Sequence, residues 1–85
     1  MGKNKKLIKI QNEVTTYLKK CGNLPKKNLL NFRYLDQGII DSLNLIKFIF
    51  FLEKKFKIKI KTKDSESDQF RYIGGLAKLI FKKIK

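Results

Sequence analysis

The chain has no histidine and a single cysteine, and these two scarcities remove most of the chemistry a small protein performs unaided. Without imidazole there is no ordinary general base near neutral pH, and no Cys/His cluster exists to hold a metal. Cys21 alone closes no intrachain disulfide. Carboxylates are scarce as well, 7 Asp+Glu against 21 Lys+Arg for a formal charge of +14, and they form no close pair suited to acid/base work. Neither GxxxxGK[ST] nor GxGxxG is present, so no phosphate-cradling loop is expected. Catalysis is therefore not expected, and neither a catalytic residue nor a metal ligand set is assigned. Long apolar runs are also missing. The longest, Phe48 to Leu52, is five residues, against the roughly 18 a membrane span requires. The basic start Met1-Gly2-Lys3-Asn4-Lys5-Lys6 leads into no secretory apolar segment. With the lone cysteine, this makes the cytoplasm the expected location.

What is present suits one small domain over residues 1–85, with positions 1–3 expected to fray. At 85 residues and 10.0 kDa, a single core buries only about 60 to 65% of the unfolded chain's surface. Apolar residues at 42% nonetheless exclude a wholly disordered chain. From about Asn4 to Lys20, the residues Leu7, Ile8, Ile10, Val14, Tyr17, Leu18 and Cys21 recur at helical spacing, and Gly22-Asn23 ends the pattern. Leu24 to Gln37 holds the only proline and no sustained period, yet Leu29, Leu30, Phe32, Tyr34 and Leu35 are too apolar for a free linker. An ordered loop lying on the core is expected there. A second helix runs from Ser42 to about Lys57 with Asp41 as its N-cap. A last helix is expected from Tyr72 or Ile73 to Ile84, its start weakened by Gly74-Gly75.

Two segments compete with an all-α fold. Phe56 to Lys61 alternates apolar and basic residues as a half-buried strand does, but no second strand is available to pair with it. It is read as an extended connection that tucks Ile58 and Ile60 onto the core. Asp64-Ser65-Glu66-Ser67-Asp68 reads as a turn or short helix in which Asp and Ser side chains satisfy nearby N–H groups.

The helix after Ser42 carries more apolar surface than one small core needs. At 100° per residue from Ser42, Leu45, Phe48, Ile49, Leu52 and Phe56 fall in a compact stripe at about 240° to 340°, the core face. Asn44, Lys47, Lys54 and Lys55 lie at about 120° to 220°, a solvated face on which Phe51 is an exposed aromatic by this count. Leu43, Ile46 and Phe50 form a second apolar strip at about 40° to 100°. Either the loop from Leu24 to Gln37 or the last helix covers that strip, or it is a docking edge beside the serine.

Gly38-Ile39-Ile40-Asp41-Ser42-Leu43, with Leu45-Ile46, Ile49, Leu52-Glu53, Phe56 and Ile58 after it, then Phe70, Ile73, Leu76-Ala77 and Leu79-Ile80, resembles an acyl carrier protein over nearly the whole chain. The hexapeptide is most similar to free-standing carriers, including the D-alanyl carrier type. The resemblance implies an all-α bundle of three longer helices and one short one, with a long loop between the first two. It implies 4′-phosphopantetheine on Ser42, moved there from coenzyme A by a separate Mg²⁺-dependent phosphopantetheinyl transferase. The arm's thiol would hold acyl or aminoacyl groups as thioesters, as in fatty acid or lipid biosynthesis. The partners implied are that transferase, an acyl- or aminoacyl-activating ligase, and acyl-transfer or synthase enzymes, met by a monomeric carrier. Asp41 and Leu43 would serve recognition, and Leu43, Ile46, Lys47, Phe50 and Lys54 would face the partners.

Charge is where the chain departs from that pattern. Carriers of this kind are usually acidic on the recognition helix, whereas Asn44, Lys47, Lys54 and Lys55 stand here and only Glu53 keeps the usual sign. Neutral or acidic docking surfaces are expected on this chain's partners. The lysines are spread through every segment, as a selected surface or as a general solvating background would have them. A rival reading, a small basic nucleic-acid-binding domain, uses the charge directly and offers Phe32, Tyr34, Phe50, Phe51 and Tyr72 for base stacking. A basic membrane-surface helix from Leu76 to Lys85 is a third, although Leu79, Ile80 and Ile84 are more simply core.

Overall fold

The computed structural model describes residues 2–84 and contains helices but no strand among them. Three longer helices, α1 (Gly2–Cys21), α2 (Ser42–Phe56) and α4 (Ile73–Ile84), are joined by the short α3 (Thr62–Ser65) and two 3₁₀ turns, Leu29–Asn31 and Asp68–Arg71. The all-α bundle, its long first connection and the limits of its last helix agree with the sequence. The first helix starts earlier than expected. Gly2 and Lys3 are already helical, because nothing before Leu7 breaks the pattern that Leu7 and Ile10 anchor; Met1 lies outside the described residues.

The core is assembled from one face of each long helix. Ile10, Val14 and Leu18 of α1, Phe48 and Leu52 of α2, and Ile73, Leu76, Ala77 and Ile80 of α4 are buried together with Tyr34, Ile40, Ile58 and Phe70 from the connections. Helix α4 packs along α1 and against both 3₁₀ turns. Helix α2 meets α1 through aromatic rings, with Tyr17 lying 4.9 Å from Phe48 and 4.8 Å from Phe51, centroid to centroid. That contact corrects the helical count for Phe51, which is covered by Tyr17 rather than exposed.

The long connection is ordered because it is pinned at several points. Tyr34 is fully buried and its hydroxyl donates to the Phe70 carbonyl, while its ring stands nearly perpendicular to that of Phe48, centroids 6.0 Å apart. The Ile73 N–H donates to the Phe32 carbonyl at 3.2 Å, so the loop also receives the first residue of α4. Outside, Arg33 and Arg71 share Asp36 and Asp68. Arg33 reaches Asp36 at 2.5 Å and Asp68 at 2.7 Å, and Arg71 reaches the other Asp36 oxygen at 2.6 Å. These bonds hold the Asp36 and Asp68 carboxyls below their ordinary value, hydrogen bonding from Arg33 being the largest cause in each case.

The alternating segment after α2 is extended without being a strand. Its missing ladder partner is replaced by Glu53, whose backbone carbonyl accepts the Ile58 N–H at 3.1 Å and whose carboxylate accepts the Ile60 N–H at 2.8 Å. Ile58 is buried and Ile60 packs on the core, as the sequence suggests. In the Asp/Ser-rich segment, Asp64 accepts the Lys61 N–H at 3.0 Å, but the Ser65 and Ser67 hydroxyls donate to carbonyls rather than accepting N–H groups. Lys83 of α4 closes on Asp64 at 2.8 Å.

Gly75 is set by sterics. Helix propensity favours Ala over Gly by about 1 kcal/mol, yet a Cβ here would stand 2.5 Å from the Gln69 carbonyl oxygen and 2.7 Å from the Tyr72 ring. Gly75→Ala is expected to destabilise by about 1–3 kcal/mol, lowering the midpoint by about 4–8 °C per kcal/mol in a domain of this size. A raised midpoint in calorimetry would contradict the packing described.

The Arg/Asp cluster makes stability depend on acid. Carboxyls whose folded pKa lies below the ordinary 3.8 contribute stability at higher pH and lose it as pH falls through the depressed folded value. The midpoint is expected to fall more steeply below about pH 4 in the wild type than in Arg33→Gln, where both aspartates move back toward their unfolded behaviour. Equal slopes in pH-dependent thermal melts would show that the cluster is inert.

Candidate functional site

The segment Gly38–Leu43 turns the long connection into α2, and each residue has a local reason for its place. Gly38 has φ +71°, a left-handed conformation that a side chain adopts with strain. Ile39 covers Gly22 at the end of α1, and Ile40 is buried in the core, so the turn is anchored immediately before the helix begins. Asp41 is extended, its backbone carbonyl accepts the Leu45 N–H at 2.8 Å, and its carboxylate accepts the Asn44 N–H at 2.8 Å. This is the N-cap the sequence predicts. Ser42 follows as the first helical residue and is exposed.

The cap leaves a specific opening at the helix end. Asp41 takes the Asn44 and Leu45 N–H groups, whereas those of Ser42 and Leu43 have no protein acceptor among the described residues. An anion carried on the Ser42 oxygen would meet unpaired N–H donors and the positive end of the helix dipole, worth roughly 0.3–1 kcal/mol at an exposed site. No protein side chain hydrogen-bonds the Ser42 hydroxyl among the described residues, so the residue is an accessible but unactivated alcohol.

Helix α2 separates its faces as the wheel predicts. Phe48 and Leu52 are fully buried, with Leu45, Ile49 and Phe56 packed beside them, and Asn44, Lys47, Lys54 and Lys55 are exposed. Leu43, Ile46 and Phe50 are 66%, 52% and 64% exposed. Neither the long loop nor α4 covers them, so the apolar strip next to Ser42 is an open ridge.

Glu53 was the one acidic residue assigned to this helix's recognition face, and it is not displayed there. It is half-buried and occupied with the Ile60 N–H, and the reason lies beyond the helix, in an extended segment that needs an acceptor. Asp41 is likewise occupied by its cap bond. The exposed side chains around the ridge are therefore Asn44, Lys47 and Lys54. Wheel geometry alone does not reveal that the Glu53 carboxylate is taken up by the Ile60 N–H.

The aromatics proposed for base stacking do not form a shared surface. Tyr34 is fully buried, Phe51 lies under Tyr17, Phe32 and Tyr72 are half-buried, and only Phe50 stands clear. On α4, Ile80 is buried and Leu79 and Ile84 pack on the core, which removes its apolar face from any membrane-surface role. No helix among the described residues is long and apolar enough to cross a membrane. No protein-family model, curated protein or solved structure matches the chain.

The cap itself has a measurable weight. Asp41→Ala is expected to lower stability by about 1 kcal/mol, and Asp41→Asn by much less, because asparagine keeps an acceptor for the Asn44 N–H. Urea unfolding of the three proteins checks this, and equal losses in both variants would show that the carboxylate charge, not the cap bond, is what matters.

Proposed function

We propose that this chain is a carrier protein whose Ser42 is the attachment point for 4′-phosphopantetheine. The observation that carries the reading is Ser42 itself: an exposed alcohol at the first residue of a capped helix, with two unpaired N–H groups beside it and an apolar ridge running away from it. These residues fit the group. The Ser42 oxygen would carry the phosphodiester, the helix end would offset its charge, and Asp41 would hold the first turn open by keeping its carboxylate on Asn44. When bound, the arm supplies a terminal thiol that holds acyl or aminoacyl cargo as a thioester.

Loading needs a second protein. The Ser42 oxygen forms a bond to phosphorus in the pyrophosphate of coenzyme A, the adenosine bisphosphate half departs, and the hydroxyl proton passes to a base supplied by the transferase. Among the described residues no side chain is hydrogen-bonded to the Ser42 hydroxyl to take that proton. Leu43, Ile46 and Phe50 give a transferase or acyl-handling enzyme an apolar grip beside the serine, and Lys47 and Lys54 select against basic docking faces. Cytoplasmic location and a monomeric state belong to the same proposal. The nucleic-acid alternative retains its lysines but only one exposed aromatic of the five it called on.

Incubation with coenzyme A, Mg²⁺ and a phosphopantetheinyl transferase of broad specificity, followed by intact-mass measurement, is expected to add one phosphopantetheine to the wild type and none to Ser42→Ala. Absence of any addition across several such transferases that load control carriers, or addition that survives in Ser42→Ala, would refute the proposal.

A further inference from the structure

We infer that the outward ridge of α2 is a docking surface for an anionic lipid bilayer. The first support is shape and composition. Leu43, Ile46 and Phe50 stand out from a convex helix, more than half exposed, and Lys47 and Lys54 border them. An apolar row edged by lysines is how a helix lying on a membrane interface distributes its side chains, the rings and branched chains entering the headgroup boundary and the ammonium groups reaching phosphates.

The second support is what happens to the negative charges. Of the 7 carboxylates, Glu13 pairs with Lys55, Asp36 and Asp68 with the arginines, and Asp64 with Lys83, while Asp41 and Glu53 bond backbone N–H groups. Only Glu66 has no such partner among the described residues. The fold therefore uses most of its acids internally and, apart from Lys55 and Lys83, pairs none of the lysines with a carboxylate among the described residues. A planar anionic surface responds to that summed field, which acts over about a Debye length.

The third support discriminates between partners. Arg33 and Arg71 are the only arginines, both are locked in the Asp36/Asp68 cluster, and every other basic residue is lysine. Protein interfaces enrich arginine and deplete lysine, and base recognition in nucleic acid favours the arginine fork. Lysine is a point charge suited to diffuse attraction, and a ridge without arginine beside it fits a fluid lipid surface better than a fixed set of acceptors. Docked in this way, the chain would hold Ser42, at the N-terminal end of the ridge, close to the lipid–water boundary, and a soluble enzyme using the same face would compete with the bilayer for it.

The unmodified chain serves as the test sample, so the result is independent of whether Ser42 is ever loaded. The chain has no tryptophan, so Phe50→Trp and, on α1, the similarly exposed Ile8→Trp each report on one site. With vesicles of phosphatidylcholine containing phosphatidylglycerol, at low salt, Phe50→Trp emission is expected to shift to the blue and Ile8→Trp emission to stay unmoved, with neither shifting on pure phosphatidylcholine. In flotation assays Ile46→Gln/Phe50→Gln and Lys47→Glu/Lys54→Glu should each weaken binding by about tenfold or more, with helical circular dichroism retained. The loop pair Lys26→Glu/Lys27→Glu, with the same change in charge, should weaken it less. No flotation, flotation with Phe50→Trp emission unmoved, a shift at Ile8→Trp instead, or equal losses from the loop and helix pairs would each overturn the inference.

Discussion

Tyr34 must bury a phenol in a core of hydrocarbon, and the only way to do so cheaply is to give its hydroxyl an acceptor. Phe70 provides one with its carbonyl, in the 3₁₀ turn that leads into α4. Burial also pushes the phenol's ionisation up, which favours the protonated hydroxyl that donates this bond. That single bond joins the middle of the long connection to the far end of the chain. The surrounding contacts follow from it, with Phe48 and Tyr34 meeting at nearly right angles and the Ile73 N–H finding Phe32. A loop fixed at Tyr34 then has only a short path to Gly38 and Ile40, and the first turn of α2 is placed in consequence.

Electrostatics is arranged around a shortage. A chain of charge +14 repels itself, and four of its seven carboxylates pair with basic side chains across junctions between segments. Asp36 and Asp68 tie the loop to the turn before α4, Asp64 ties α3 to the last turn of α4, and Glu13 reaches from α1 to Lys55 of α2 at 3.6 Å. Most of these pairs are exposed, and individually such pairs contribute little. The Arg33–Asp36–Arg71–Asp68 group differs in linking several charges through short, forked bonds, the geometry in which arginine exceeds lysine. This accounts for the chain's two arginines standing here while lysine occupies the open surface.

Much of this was legible in the sequence, and what escaped has a common cause. Periodicity located α1, α2 and α4, and Asp41 announced the start of α2, because these features depend on local spacing and local backbone geometry. The same methods put Phe51 in solvent, and the resemblance left Glu53 as the one residue of the usual acidic sign on the helix. Phe51 is covered by a tyrosine from another helix, and Glu53 is drawn round by an N–H seven residues further on. Both depend on partners that a helical wheel does not contain. The exposure of Leu43, Ile46 and Phe50 was likewise open until the course of the long loop was known, since that loop is apolar enough to have covered them.

That exposure bears on what shaped α2. Its inner face fills the core with Phe48 and Leu52, and the second aromatic row, Phe51 against Tyr17, already closes the seam with α1. The fold would be complete with polar residues at 43, 46 and 50, and such residues would improve solubility at no cost in packing. In a chain whose other exposed large apolar side chains, Ile8 and Leu30, stand apart, three kept in water on one ridge, beginning one residue after an exposed serine, are not explained by folding. On the docking proposed above they serve a contact made outside the chain, and the lysines that border them would then set the charge that contact carries.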